Sequence, residues 1–150
     1  MRKTSMVCLG CLEKARYMTV HACEAIERYY SHVAVVFSGN RGFHIWVFDF
    51  DLRDWTHYDE KNPIRSHEVA RFNFTRLVAA QARGFNRDHF ILSVDPMRVV
   101  SVPGSLNGES GLVCSYIGDR KELERSSMRG IVEDAKPTEA IYGHAEPTWR

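Results

Sequence analysis

The sequence predicts an α+β domain, with helices packed on a mostly antiparallel sheet. Three observations predict it. An amphipathic helical segment opens the chain. A glycine-rich turn then joins two apolar runs of strand length. A second amphipathic segment separates that hairpin from further short apolar runs. The chain has 150 residues, of which 44% are hydrophobic and 26% charged. That suits one compact domain and excludes a disordered or collagen-like chain. The net charge is +1, so whole-chain charge points to no partner, and a nucleic-acid reading must rest on local features. No apolar run is long enough to span a bilayer, and no charged-then-apolar leader follows Met1. The expectation is a soluble, cytoplasmic protein with no membrane partner.

From Cys11 to Tyr30 the apolar period is helical: Leu12, Ala15, Met18, Ala22, Ile26 and Tyr29 share one arc, with Glu13, Arg16, Glu24, Glu27 and Arg28 off it. Val33 to Phe37 is β-branched and aromatic and reads as a buried strand. Ser38 to Gly42 turns the chain, and Phe43 to Phe50 returns as the second strand of a hairpin. Residues 51–65 form a polar connection. Ser66 to Arg83 reads as a helix, with Ser66 as N-cap, Gly84 past its end, and Ala70, Phe74, Leu77 and Val78 facing the core. Strands are expected at 90–94, 98–102 and 112–117, with a loop at 103–111. From 119 to 150 the chain is polar and weakly patterned, so it is read as a loosely packed extension beyond a domain spanning 1–118.

Three segments carry chemistry. In Ser38-Gly39-Asn40-Arg41-Gly42-Phe43-His44, the glycines permit a tight turn. Ser38 offers a hydroxyl, Arg41 a phosphate fork and His44 a donor that follows an anion's charge. Such a turn suits a triphosphate, although taken alone an ordinary glycine hairpin is the commoner feature. Phe90 to Asp95 is an apolar run ending in a carboxylate, a natural Mg²⁺ ligand near phosphates, or simply a turn before Pro96. Pro103 to Gly111 is rich in small residues, with many backbone N–H groups to offer an anion.

In this order the segments resemble the small catalytic subunit of archaeal and eukaryotic DNA primase. The matching runs are S-G-x-R-G-x-H at 38–44, the strand ending at Asp95, and R-x-x-x-x-P-G-S-L-x-G-x-S-G from Arg98 to Gly111. Cys8-Leu9-Gly10-Cys11-Leu12-Glu13-Lys14-Ala15 looks like the family's C-P-x-C-L-E-x-A-K segment. The resemblance implies an RRM-like primase-polymerase core. It implies that Ser38, Arg41, His44, Arg98 and Asn107 bind nucleotide phosphates. Asp95, with His44, would be catalytic, and Asp95 would ligate Mg²⁺ or Mn²⁺. The reaction implied is nucleotidyl transfer from NTPs to a primer on a single-stranded DNA template, and the implied partner is the primase large subunit.

The departures from the family pattern shape the expectation further. The family's first Asp-x-Asp motif lies upstream of the cysteines, and residues 1–7 contain no acid. The chain is therefore expected to be an N-terminally incomplete primase domain with impaired catalysis. The alternative is a non-catalytic nucleotide- or nucleic-acid-binding remnant. Asp49 and Asp51 form an Asp-x-Asp, but Asp51 lies seven residues from His44, about 23 Å along a strand, and both read as a solvated strand end. Cys8 and Cys11 form a partial zinc site, since structural zinc takes four ligands. Cys23 is twelve residues up the helix from Cys11, about 18 Å away, and reads as a core thiol. Cys114 reads as structural. Asn107 and Glu109 stand where the family's loop carries histidine and lysine, and Ser101 where a second basic residue is common; each change weakens phosphate binding. Arg65, Arg76 and Arg83 read as a solvated helix face, and Trp46 as core.

Overall fold

The computed structural model of the chain describes residues 7–84 and 100–138. The expected strand at 90–94, Asp95 and Arg98 lie outside these residues.

Helix α1, Leu9–Ile26, begins where Cys8 turns into it; the Cys8 sulfur accepts from the Cys11 backbone N–H at 3.2 Å. Leu12, Ala22, Cys23, Ala25 and Ile26 are buried along it. The helix ends four residues before the expected Tyr30. Tyr29 is exposed and Tyr30 turns inward as a separate core residue. Strands β1, Val33–Phe37, and β2, Phe43–Val47, form the expected hairpin. The pairing runs antiparallel from Val33 opposite Val47 to Phe37 opposite Phe43. A third strand, β3, Ser115–Gly118, pairs antiparallel with the other side of β1 through an irregularity between Val35 and Val36. The described sheet therefore has the order β2-β1-β3.

Alternation along β1 sorts the sheet into two faces. Val35 and Phe37 point into a cluster with Leu12, Cys23, Leu112, Leu123, Met128 and Ile131. Ala34 and Val36 are buried on the opposite side, and Val36 lies between His44 and Tyr116 in register. A second cluster joins Ala22, Ala25 and Ile26 of α1 to Phe74 and Val78 of the next long helix, with Tyr30. Helix α2, Pro63–Gln81, starts three residues earlier than expected. Pro63 takes the first helical position, where a missing N–H is harmless. Ser66 is therefore not the N-cap. It is a buried residue of the first turn, whose hydroxyl accepts from the Asp59 N–H at 2.9 Å.

The largest correction is at 119–134. Instead of a loose extension, these residues include α3, Arg120–Arg125, and α4, Met128–Asp134. Leu123, Met128, Ile131 and Ala135 are buried in the main cluster. Asp119 and Glu122 form a reciprocal capping box at the start of α3. Arg120 bonds Glu27 at 2.8 Å and Glu124 at 2.7 Å, tying α3 to the end of α1. Arg16 donates to the carbonyls of Leu123, Glu124 and Ser126 at 3.1–3.3 Å, satisfying groups that a helix end leaves unpaired. The strand expected at 112–117 is shifted to 115–118, and residues 100–102 carry no strand.

β2 also stops sooner than the expected Phe50. Beyond it the Asp49 carboxylate accepts from the Ser31 N–H at 2.9 Å and the His32 N–H at 3.2 Å, with the His32 ring 3.3 Å away. Partial desolvation opposes ionisation, but the hydrogen bonds from Ser31 and His32 outweigh it and hold the carboxyl at about 2, below its ordinary 3.8. A carboxyl depressed in the folded state adds stability above its unfolded value, and that stability is lost as pH falls through the folded one. Asp49→Asn is therefore expected to melt lower than the parent at pH 7. The gap should close between about pH 4 and pH 2, as followed by thermal denaturation across that range. A constant gap would mean that the carboxylate charge contributes nothing.

Candidate functional site

The turn between β1 and β2 is closed by Ser38. Its N–H donates to the Gly42 carbonyl at 2.8 Å, and its hydroxyl oxygen accepts from the N–H groups of Asn40 and Gly42 at 3.3 and 3.2 Å. These bonds use the Ser38 hydroxyl as an acceptor only and leave its hydrogen available to donate. Gly39 has φ +83°, a backbone conformation that favours glycine. Arg41 projects from the tip with its side chain 86% exposed. His44 follows on β2, half-buried, on the sheet face opposite the main core.

The segment 102–114 folds against this turn. Residues 106 and 113 bridge as a small antiparallel pair. Asn107 shapes the tip: its side-chain oxygen accepts from the N–H groups of Glu109 and Ser110 at 3.0 and 3.1 Å. The N–H groups of Gly104, Ser105, Asn107, Gly111 and Leu112 also donate within the segment. This corrects the expectation of a loop rich in free N–H groups. It is a preformed hairpin that can present side chains but has few backbone donors left for an anion.

Two contacts lock the hairpin to the turn. The Ser110 hydroxyl donates to the Gly39 carbonyl. The Asn40 amide donates to the Glu109 carboxylate at 2.7 Å, and the same carboxylate oxygen lies 3.7 Å from the Arg41 guanidinium. Ser38, Arg41 and Asn107, separated by more than sixty positions in the sequence, therefore share one edge of the molecule, next to the strand that carries His44. Asn40 and Ser110 are the residues that join the segments. Both sit inside the motif runs, but nothing in a single sequence marks which neighbour each would reach.

The remaining candidates lie apart from this edge or are used elsewhere. Asp51 accepts from the Arg53 backbone N–H at 2.9 Å and from its guanidinium at 3.0 and 3.1 Å. The Arg53 hydrogen bonds, side-chain first, hold Asp51 below its ordinary range. With Asp49 bonded to residues 31 and 32, this pair behaves as the expected strand-end acids. Trp46 is half-buried and packs beside Phe48, which is exposed, rather than within the main core. Arg65 pairs with Glu68 on the surface of α2, and Arg76 lies over the Phe72 ring.

Cys8 and Cys11 are exposed at the start of α1. Hydrogen bonds from Cys11, side-chain and backbone, pull the Cys8 thiol below its ordinary value, and the same side-chain bond pushes the Cys11 thiol up. Among the described residues no third ligand joins them. Cys23 is fully buried in the core, and desolvation pushes its thiol up to about 12, as an inert packing residue requires. Cys114 is buried and its thiol is likewise raised by desolvation. No helix among the described residues is long and apolar enough to cross a membrane.

The mixed α+β fold thus brings the 38–42 turn and the 103–111 hairpin together beside the sheet. Residues 22–119 match the DNA primase small subunit family, well over half of the chain, and the chain belongs to that family. It is 32% identical over 114 aligned residues to the DNA primase small subunit PriS of Sulfolobus acidocaldarius, covering 65% of this chain and 34% of that protein. Against PriS of Pyrobaculum aerophilum it is 27% identical over 163 aligned positions, covering 89% of this chain and 51% of that protein. The chain thus spans between a third and about half the length of the curated relatives it matches. The family match contains the turn, Asp95, Arg98 and the 103–111 hairpin, and begins after Cys8 and Cys11.

Proposed function

We propose that this chain supplies the nucleotide-phosphate edge of an RRM-like primase-polymerase domain, the part spanning 1–118 with α3 and α4 packed beneath it. Its reaction is template-directed nucleotidyl transfer during primer synthesis in DNA replication. The primer 3′-hydroxyl gives up its proton to water, and its oxygen bonds to the α-phosphorus of an NTP. The bond from that phosphorus to its bridging oxygen breaks, and pyrophosphate leaves. Arg41 and the Ser38 hydroxyl hold phosphate oxygens, Arg98 and Asn107 assist, and His44 donates to the phosphates from β2. Asp95 is the proposed ligand for Mg²⁺ or Mn²⁺, which when bound activates the hydroxyl and stabilises the leaving group. The template is single-stranded DNA and the protein partner is the primase large subunit. Cys8 and Cys11 offer two of the four ligands zinc takes; the others must come from outside the described residues.

The observation that supports this reading most directly is the interlock of the 38–42 turn with the 103–111 hairpin. Two segments distant in sequence bring Ser38, Arg41 and Asn107 to one edge. A second reading, a non-catalytic nucleotide-binding module, is favoured by one specific feature: Asp49 and Asp51 are both engaged away from the turn, so the described residues place no carboxylate pair beside it.

Calorimetry with ATP and Mg²⁺ tests the shared part of both readings. Arg41→Ala is expected to weaken binding about tenfold, the size of a charge-assisted contact. No heat for the parent chain would overturn the nucleotide site itself. A primer-extension assay with template, NTPs and Mn²⁺ then separates the readings. Extension that requires Asp95 supports the enzyme, extension undiminished by Asp95→Ala removes the metal role assigned to it, and no extension with intact ATP binding selects the binding module.

A further inference from the structure

We propose that Glu109 is a built-in competitor for the phosphate site, a carboxylate that occupies the donors a triphosphate would use. The inference rests on the nucleotide site proposed above and concerns its regulation. One oxygen of Glu109 takes the Asn40 amide at 2.7 Å and lies 3.7 Å from the Arg41 guanidinium. A carboxylate and a phosphate oxygen accept from the same donors. Arg41 is the cation at the tip of the turn, and its exposed side chain has no other anionic partner among the described ion pairs.

The placement is not accidental to a floppy side chain. Asn107 fixes the Glu109 backbone through its N–H, and Ser110 fixes the next residue to Gly39. The backbone that carries the carboxylate is therefore held within reach of Arg41. The side chain is itself 63% exposed. It can rotate into water, and an ion pair this exposed is weak enough to be displaced. Displacement does not remove the charge, however. A carboxylate left about 4 Å from a bound phosphate opposes it by roughly fivefold per unit charge even at the dielectric of water. Glu109 thus lowers affinity twice, by holding Arg41 and by repelling the incoming anion.

The test is calorimetry on the full chain with ATP–Mg²⁺ and, separately, with inorganic tripolyphosphate. Glu109→Gln keeps an oxygen for the Asn40 amide and removes the charge. It is expected to bind both probes about fivefold tighter or more, with the gain shrinking as salt rises. In an Arg41→Ala background the gain should shrink without vanishing, because the competition for Arg41 is gone while the repulsion remains. An unchanged melting temperature for Glu109→Gln would show that folding is not the cause. If Glu109→Gln binds no tighter while Arg41→Ala still weakens binding, the competitor role is wrong and the nucleotide site stands. If no form binds either probe, Glu109→Gln included, both are wrong. A gain seen with ATP but not tripolyphosphate would place the effect at the base or sugar and also overturn the proposal.

Discussion

Phe37→Ala is expected to remove about 3–5 kcal/mol of stability, the range for truncating a large buried aromatic. Phe37 is fully buried and is the largest such side chain in the described core. It sits on the central strand, paired with Phe43 on one side and Ser115 on the other. Its ring meets that of Phe43 at 5.7 Å, and the surrounding cluster draws on α1, the 103–111 hairpin's return, α3 and α4. No single neighbour can collapse into the space, because each is anchored on a different element. A domain of this size holds only about 5–15 kcal/mol in total, so the variant should be close to unfolding at physiological temperature. Urea denaturation measures it, with Phe37→Leu as the control. Leucine keeps most of the apolar volume and should cost well under half as much. A loss below about 1 kcal/mol for alanine would mean that the strand, not the side chain, organises this core. Phe37 also precedes Ser38, so loosening it should fray the 38–42 turn before the rest of the sheet.

The hairpin was legible because its signals agree. Val33 to Phe37 is apolar without alternation, as a strand buried on both faces requires, and two glycines bracket the turn. Where β2 ends was not legible. The carboxylate of Asp49 binds residues 31 and 32, a contact across the hairpin that periodicity cannot register, and Phe48 and Phe50 suggest more strand than forms. At the start of α2, two start signals compete, and Pro63 prevails over Ser66. Helices α3 and α4 are six and seven residues long, too short to show amphipathic period and too short to hold alone. Contacts from Arg16 and Glu27 stabilise α3, whose Asp119-x-x-Glu122 capping box was readable in the sequence, and burial of Met128 and Ile131 holds α4. At the candidate site, the sequence named Ser38, Arg41 and Asn107, and the described residues bring the 38–42 turn and the 103–111 hairpin together. The pairing of Asn40 with Glu109 was not readable, since it depends on how a hairpin packs sixty-nine residues further along the chain.

Gly39→Ala is the substitution expected to damage fold and site together. At φ +83° an alanine is strained by itself, typically by about 1–3 kcal/mol. The new Cβ would also lie 3.1 Å from the Leu112 carbonyl oxygen, 3.2 Å from the Cys114 nitrogen and 3.3 Å from the Asn107 Cβ. Two of these are backbone atoms in the hairpin's return strand, which cannot rotate aside as a side chain can. Relief requires the 103–111 hairpin to move off the turn, and that breaks the Ser110 bond to the Gly39 carbonyl. The combined loss should be about 2–4 kcal/mol, with ATP binding weakened as the Arg41 and Asn107 sides separate. Gly104→Ala is the matched comparison. Gly104 has φ +92°, but a Cβ there meets nothing within 4 Å, so only the strain remains. Subtracting its effect from that of Gly39→Ala isolates the close approach of the two segments. If the two variants lose the same stability and bind ATP equally well, contact between turn and hairpin is not what holds the proposed phosphate edge together, and Arg41 would have to act without the hairpin's support.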